Sequence, residues 1–216
     1  MSLVVDQLEL GPIGTNTYVV RASSGASDAV VVDPSGDAAT ILSALEAVGA
    51  RCTAIFVTHG HFDHIVSLAD LAEASGAPIY APAGERILIE EPEAFTPPGL
   101  AIKPATADVW LEGGEAIEVA GISFAVVPAP GHSPAHLAYF AEGELFSGDV
   151  LFAGSVGRTD FPGSDWATLE ASIAALLEAY PPATVVHPGH GPETTLGAEL
   201  QTNPFLEGLR GRAADG

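Results

Sequence analysis

The sequence is poor in everything that would tie it to a polyanion or to an oxidising compartment. One cysteine, Cys52, stands among 216 residues, so no internal disulfide is possible, and its apolar neighbours predict buried packing at a strand start. Lysine and arginine number 7 against 28 acidic residues, a formal net charge of −21, and Lys103 is the sole lysine. No cationic stripe is left to neutralise phosphates or anionic headgroups, which excludes nucleic acid and membrane surfaces as expected partners. The acidity reads as an adaptation to solubility or salinity. The stretch Met1-Ser2-Leu3-Val4-Val5-Asp6 lacks the basic start and apolar run of a secretory leader, and no uncharged apolar run of about 18 residues follows, so a cytoplasmic location is expected. Core-forming material is plentiful: 47% of residues are hydrophobic, which predicts one folded domain over residues 1–216. Oligomeric state has no sequence signal.

Alternation over 3–10, 17–20 and 29–32 predicts three early strands joined by glycine-rich turns. From Asp37 the spacing Ile41, Leu42, Leu45, Val48 is helical, with Gly49 placed as a left-handed C-cap. A strand over 54–57, a helix over about 64–75 closed by Gly76, and a strand over 78–81 complete a βαβ unit. Pro92, Pro97, Pro98 and Pro104 fill an aperiodic segment that reads as a surface loop or a lid. Strands follow at about 115–119, 122–127, 136–140 and 144–146. Next comes a helix capped by Ser164 or Asp165, with Trp166, Leu169, Ile173, Leu176, Leu177 and Tyr180 on one face, and then a strand over 184–186. Two successive halves of strands then helix, with no linker between them, predict an α/β (α+β) fold of two sheets packed face to face with helices outside.

All seven histidines fall in three short stretches. The densest is Thr58-His59-Gly60-His61-Phe62-Asp63-His64, at the end of a strand. Side chains two apart on extended backbone share a face, so His59 and His61 can grip one metal, while Asp63 and His64, turned away by the helix start, reach a second. Ala129-Pro130-Gly131-His132-Ser133-Pro134 and His187-Pro188-Gly189-His190-Gly191-Pro192 each set a histidine in a Gly/Pro turn at a strand end, and Phe146-Ser147-Gly148-Asp149 ends a strand on a carboxylate suited to bridge two cations. His136 and His187 sit in strand-like stretches and read as supporting or packing residues. Asn16 and Tyr18 fit turn chemistry, and Asp33 fits a brace for a ligand or a turn with Pro34. Trp166 and Phe205 read as helix packing and tail anchoring.

In this order the motifs resemble the metallo-β-lactamase superfamily, from Val30-Val31-Val32-Asp33-Pro34 to His190. The resemblance implies an αββα sandwich of two mixed sheets with helices on the outer faces. It places His59, His61 and His132 on one metal and Asp63, His64 and His190 on another, with Asp149 between. The metals implied are two divalent ions, zinc before iron or manganese, sharing a hydroxide. Asp63 and Asp149 would act in catalysis. Cys52 precedes the motif, which separates the chain from cysteine-ligated lactamases, and His61 stands where flavodiiron reductases carry glutamate. Gly154-Ser155-Val156-Gly157-Arg158-Thr159-Asp160-Phe161 and the stretch Gly189-His190-Gly191-Pro192-Glu193-Thr194-Thr195 with Thr202-Asn203-Pro204-Phe205 resemble short glyoxalase II-like, or hydroxyacylglutathione hydrolase-like, proteins. That implies metal-dependent hydrolysis of a small acyl thioester. Gly191-Pro192 replaces the family's usual tyrosine, and the basic, helical glutathione-binding region of larger relatives has no counterpart after His190, so the carrier thiol stays open. Arg158 is the candidate contact to a substrate carboxylate, with an ion pair to Asp160 or Asp165 as its other reading. Sulfur (persulfide) dioxygenases resemble the same motifs and imply a competing activity on one iron held by His59, His132 and Asp149.

Overall fold

A computed structural model describes residues 3–210. Met1 and Ser2, on which the reading of an absent leader partly rests, and residues 211–216 lie outside the described residues. The chain forms β1 (Val4–Leu10), β2 (Thr15–Arg21), β3 (Asp28–Val32), α1 (Ala38–Ala47), β4 (Arg51–Phe56), α2 (Leu68–Ser75), β5 (Ile79–Pro82), α3 (Arg86–Glu90) and β6 (Val109–Leu111). It continues with β7 (Ala116–Val119), β8 (Ile122–Pro128), β9 (Leu137–Ala141), β10 (Glu144–Gly148), β11 (Leu151–Phe152), β12 (Ser155–Val156), α4 (Trp166–Ala179), β13 (Val185–Pro188), β14 (Thr194–Thr195), α5 (Leu196–Thr202) and α6 (Glu207–Arg210).

One sheet runs β1-β2-β3-β4-β5-β6, antiparallel up to β3 and parallel from β3 onward. The other runs β14-β13-β10-β9-β8-β7, with only β10 and β13 parallel. Three cores separate the layers. Val30, Val32, Ala54 and Phe56 face the second sheet, while their neighbours Ala29, Val31 and Ile55 face α1 and α2 with Ile41, Leu45 and Leu71. Both faces of β3 and β4 are therefore covered, which is why these strands read as unbroken apolar runs. On the far side, Ala138 and Leu145 meet Leu169, Ile173 and Leu176 of α4. Each large side chain so buried contributes roughly 1.5–3 kcal/mol. The expected αββα sandwich of two mixed sheets is the observed architecture.

Local chemistry sets the helix ends. The Asp37 side chain accepts from Thr40 N at 2.9 Å and the Asp165 side chain from Thr168 N at 2.8 Å, so Asp165 rather than Ser164 caps α4. Gly76 closes α2 at φ 69°.

Three expectations are corrected. The helix predicted from His64 starts at Leu68: residues Phe62–His64 form a single 3-10 turn, and Ser67 Oγ donates to the carbonyls of Pro34 and Ser35, tying the chain down before α2 begins. The 92–104 segment is only partly surface, because Leu100 and Ile102 pack on the core beneath α1 and α2 and Pro92–Phe95 form a 3-10 turn. Trp166 and Phe205 do not enter a core. They remain 39% and 47% exposed with ring centroids 6.3 Å apart, while Leu206 and Leu209 anchor the tail. The short elements α3, β6, β11 and β12 have too few residues to show a period.

Candidate metal centre

β3, β4, β8, β10 and β13 all end at the same edge of the sandwich, and each is followed by a site segment. Beyond β4 the chain stays extended to His61 (φ −64°, ψ 144°) and then tightens into the 62–64 turn. His59 and His64 are fully buried, and His61 and His190 are partly open. Three groups of donor atoms each lie within 4.8 Å of one another: His59, His61 and His132; His59, His64 and Asp149; Asp63, His64 and His190. His61 Nδ1 is 2.8 Å from His132 Nε2. His64 Nε2 sits 3.3 Å from both Asp63 Oδ2 and Asp149 Oδ1. The other Asp149 oxygen, Oδ2, is 3.4 Å from His132 Nε2 and 3.7 Å from His190 Nε2, so this carboxylate faces both histidine sets. All seven sequence-predicted donors meet.

The surrounding hydrogen bonds turn the right nitrogens inward. Asp33, at φ 51°, accepts from Thr58 N on Oδ1 (2.7 Å), and from Thr58 Oγ1 (2.7 Å) and His64 Nδ1 (2.8 Å) on Oδ2. Thr58 Oγ1 in turn receives His59 Nδ1 at 3.1 Å. His132 Nδ1 donates to Arg158 O and His190 Nδ1 to Gly14 O. An occupied Nδ1 leaves Nε2 free toward the centre. His61 reverses the pattern by presenting Nδ1.

Burial and crowding by other imidazoles hold His59 well below the usual histidine range, and burial with His132 nearby lowers His61 to about 4. Both are neutral and ligand-ready at pH 7. Burial alone would lower His64 as well, but the carboxylates of Asp63, Asp149 and Asp33 raise it well above 6.5. Against the burial that would raise it, the nearby His64 lowers Asp63 to about 2 and drives Asp149 lower still. The His64 proton therefore favours the metal-free fold below pH 6.5, and that contribution fades as pH rises through the raised value. A cation must displace it. Zinc added to chelator-treated protein at pH 7 is expected to acidify a weakly buffered solution and to bind more tightly as pH rises. An unmoved pH indicator would count against His64 as a ligand.

The donor set fits cations. His59 Nε2, His64 Nε2 and Asp149 Oδ1 are buried without a hydrogen-bond partner, although such atoms are costly to strand. Imidazole and carboxylate donors suit divalent zinc and iron alike.

Several supporting residues were only partly legible. Thr15 Oγ1 donates to Asp63 Oδ2 at 2.8 Å, Asn16 Nδ2 to the carbonyls of Pro188 and Gly191, and Tyr18 OH to Pro188 O, so the start of β2 clamps the loop that delivers His190. The glycine-rich turn before β2 hid this role. His136 Nε2 accepts from Asp149 N at 3.1 Å, and its ring stacks on His59. His187 bonds Glu144 at 2.7 Å and stacks on Phe146, outside the donor cluster. Arg158 pairs bidentately with Asp160 and lies 4.4 Å over the Phe161 ring, whose edge meets His61. Asp165, its other candidate partner, is occupied as the α4 cap.

Residues 10–190 match the metallo-beta-lactamase superfamily. A Haemophilus influenzae protein named hydroxyacylglutathione hydrolase GloC is 34% identical over 185 residues, 83% of this chain and 87% of that protein. The crystal structure of the BLEG-1 B3 metallo-beta-lactamase superposes with a TM-score of 0.88 at 38% identity, covering 94% of this chain and all of that one. TTHA1623, solved in a di-iron-bound form, gives 0.82 at 42% identity with the same coverage. Among the described residues, no helix is long and apolar enough to cross a membrane.

Proposed function

The chain belongs to the metallo-β-lactamase superfamily, and from that premise we propose that it hydrolyses small acyl thioesters with the help of two divalent cations, zinc before iron or manganese. The observation that carries the reading is the convergence of seven donor side chains, three of whose inward atoms, His59 Nε2, His64 Nε2 and Asp149 Oδ1, are buried without a hydrogen-bond partner. The name of the Haemophilus influenzae relative supports the thioester. In this reading His59, His61 and His132 hold one ion, Asp63, His64 and His190 the other, and Asp149 serves both. When bound, such ions supply Lewis acidity, bringing the pKa of a water from 15.7 toward about 7 and neutralising charge on the acyl oxygen.

The residues supply the rest. Asp63, its Oδ2 fixed by Thr15, orients the attacking water and accepts one of its protons. As the water oxygen bonds the acyl carbon the C–S bond breaks. The proton on Asp63 passes to the departing thiolate, and the second water proton is lost from the product acid. Arg158, at the rim above Phe161, offers a guanidinium to a carboxylate on the carrier.

The test is thiol release from S-lactoylglutathione and a panel of acyl thioesters, with elemental analysis of protein purified without added metal. Turnover with two metals per chain is expected. One iron per chain with oxygen uptake on glutathione persulfide would overturn the reading in favour of a persulfide dioxygenase. Arg158→Ala is expected to raise KM for anionic thioesters several-fold, leaving kcat and Tm near parental values, because the arginine and Asp160 are both exposed. Equal KM changes for neutral and anionic substrates would remove Arg158 from substrate binding.

A further inference from the structure

Glu85 is a buried acid that the chemistry above does not use. It ends a 3-10 turn (Ala83–Glu85) immediately before α3 and is 1% exposed. Its carboxyl oxygens divide between two backbone donors: Ala135 N at 3.0 Å on Oε1 and Gly60 N at 3.4 Å on Oε2. Gly60 lies between His59 and His61, and Ala135 lies in the loop that begins at His132. The contact is tight on both sides. A side chain at Gly60 would meet Leu88 Cβ at 2.6 Å and the Glu85 carbonyl at 3.3 Å, and one at Gly84 would run into Ala135 Cβ.

We infer that Glu85 is a positioning residue for the three-histidine half of the centre, holding the loop of His59 and His61 against the loop of His132 at the spacing one cation needs. The inference rests on the reading of those three histidines as ligands of one ion. The second half, Asp63, His64 and His190, is braced instead by Thr15, Asp33 and Gly14, so the effect of Glu85 falls on one ion of two. A carboxylate is needed because it accepts on both oxygens. The amide of glutamine accepts on one and turns an N–H donor toward the other backbone N–H.

Glu85→Gln tests this through metal content as well as rate. The variant is expected to keep the parental circular dichroism and one tightly held ion per chain while binding the other about 10- to 100-fold more weakly, the usual cost of losing a brace behind a metal ligand. Cobalt(II) substitution should show the change in the visible bands of one site only. Glu85→Met, similar in size, serves if the glutamine variant does not purify folded. Two ions held with parental affinity in either folded variant overturn the inference. Failure of both variants to fold also overturns it, assigning Glu85 to the fold instead. A parent chain that binds no metal at all would instead sink the ligand reading and this inference with it.

Discussion

Asp149→Ala is expected to abolish thioester hydrolysis and to leave the chain unable to retain two metal ions. Its Oδ1 faces His64, and its Oδ2 faces both His132 and His190, one from each histidine set. Removal also strips the buried His64 of one of the three carboxylates that raise it, and unpaired buried charge is expensive. Lewis-acid stabilisation is worth several kcal/mol and each ~1.4 kcal/mol is tenfold in rate, so the fall should be about 10³-fold or more. His61→Ala should fall comparably, since it leaves two of the three donors on that side. Rates of thiol release and metal per chain check both variants, and unchanged turnover in the pair would end the proposal.

Gly189→Ala is expected to do nearly as much damage without touching a donor atom. A Cβ at this position would run into Asp149 Oδ1, lie 2.6 Å from His64 Cε1 and approach Gly148 C at 3.2 Å. These neighbours are a buried carboxylate, a fully buried ring and backbone, so none can yield cheaply. Either Asp149 moves or the 188–191 loop withdraws with His190, and a displacement of about 1 Å can cost 10²-fold. Gly191, whose added Cβ would meet nothing within 4 Å, sits two residues along the same loop but at φ 77°, so it is no clean control. The measurement is therefore direct: metal content and kcat of Gly189→Ala beside the parent. Two retained ions with near-parental kcat would mean that the loop tolerates the methyl group and that its spacing is not what holds the centre.

The donors were legible because metal chemistry restricts them to histidine and aspartate, and because each stands at the end of an apolar strand run. His59, His61, Asp63, His64, His132, Asp149 and His190 could all be named on those grounds. Their supports could not. Thr15, Asn16 and Glu85 act on loops 25 to 175 residues away in the chain, through hydrogen bonds that leave no pattern in composition. Asp33 was half visible as an acid after a strand, yet its three bonds to Thr58 and His64 depend on β3 and β4 lying side by side. The late start of α2 was hidden for a related reason. Helical spacing persists through residues 64–68, while the bonds of Ser67 to Pro34 and Ser35 decide that the chain turns there instead.

Local residue choice alone determined the layered α/β class, since runs apolar on both faces demand cover on both sides, and it determined the inventory of groups able to hold cations. Tertiary packing decided which nitrogen of each imidazole looks inward, that one carboxylate spans both histidine sets, and that His136 and His187, alike in the sequence, part ways. His136 supports the backbone of Asp149, and His187 pairs with Glu144. The division follows from range: strand periodicity and capping are set within a few residues, whereas hydrogen-bond direction and close approach are set by whichever distant strand ends the fold brings to the same edge.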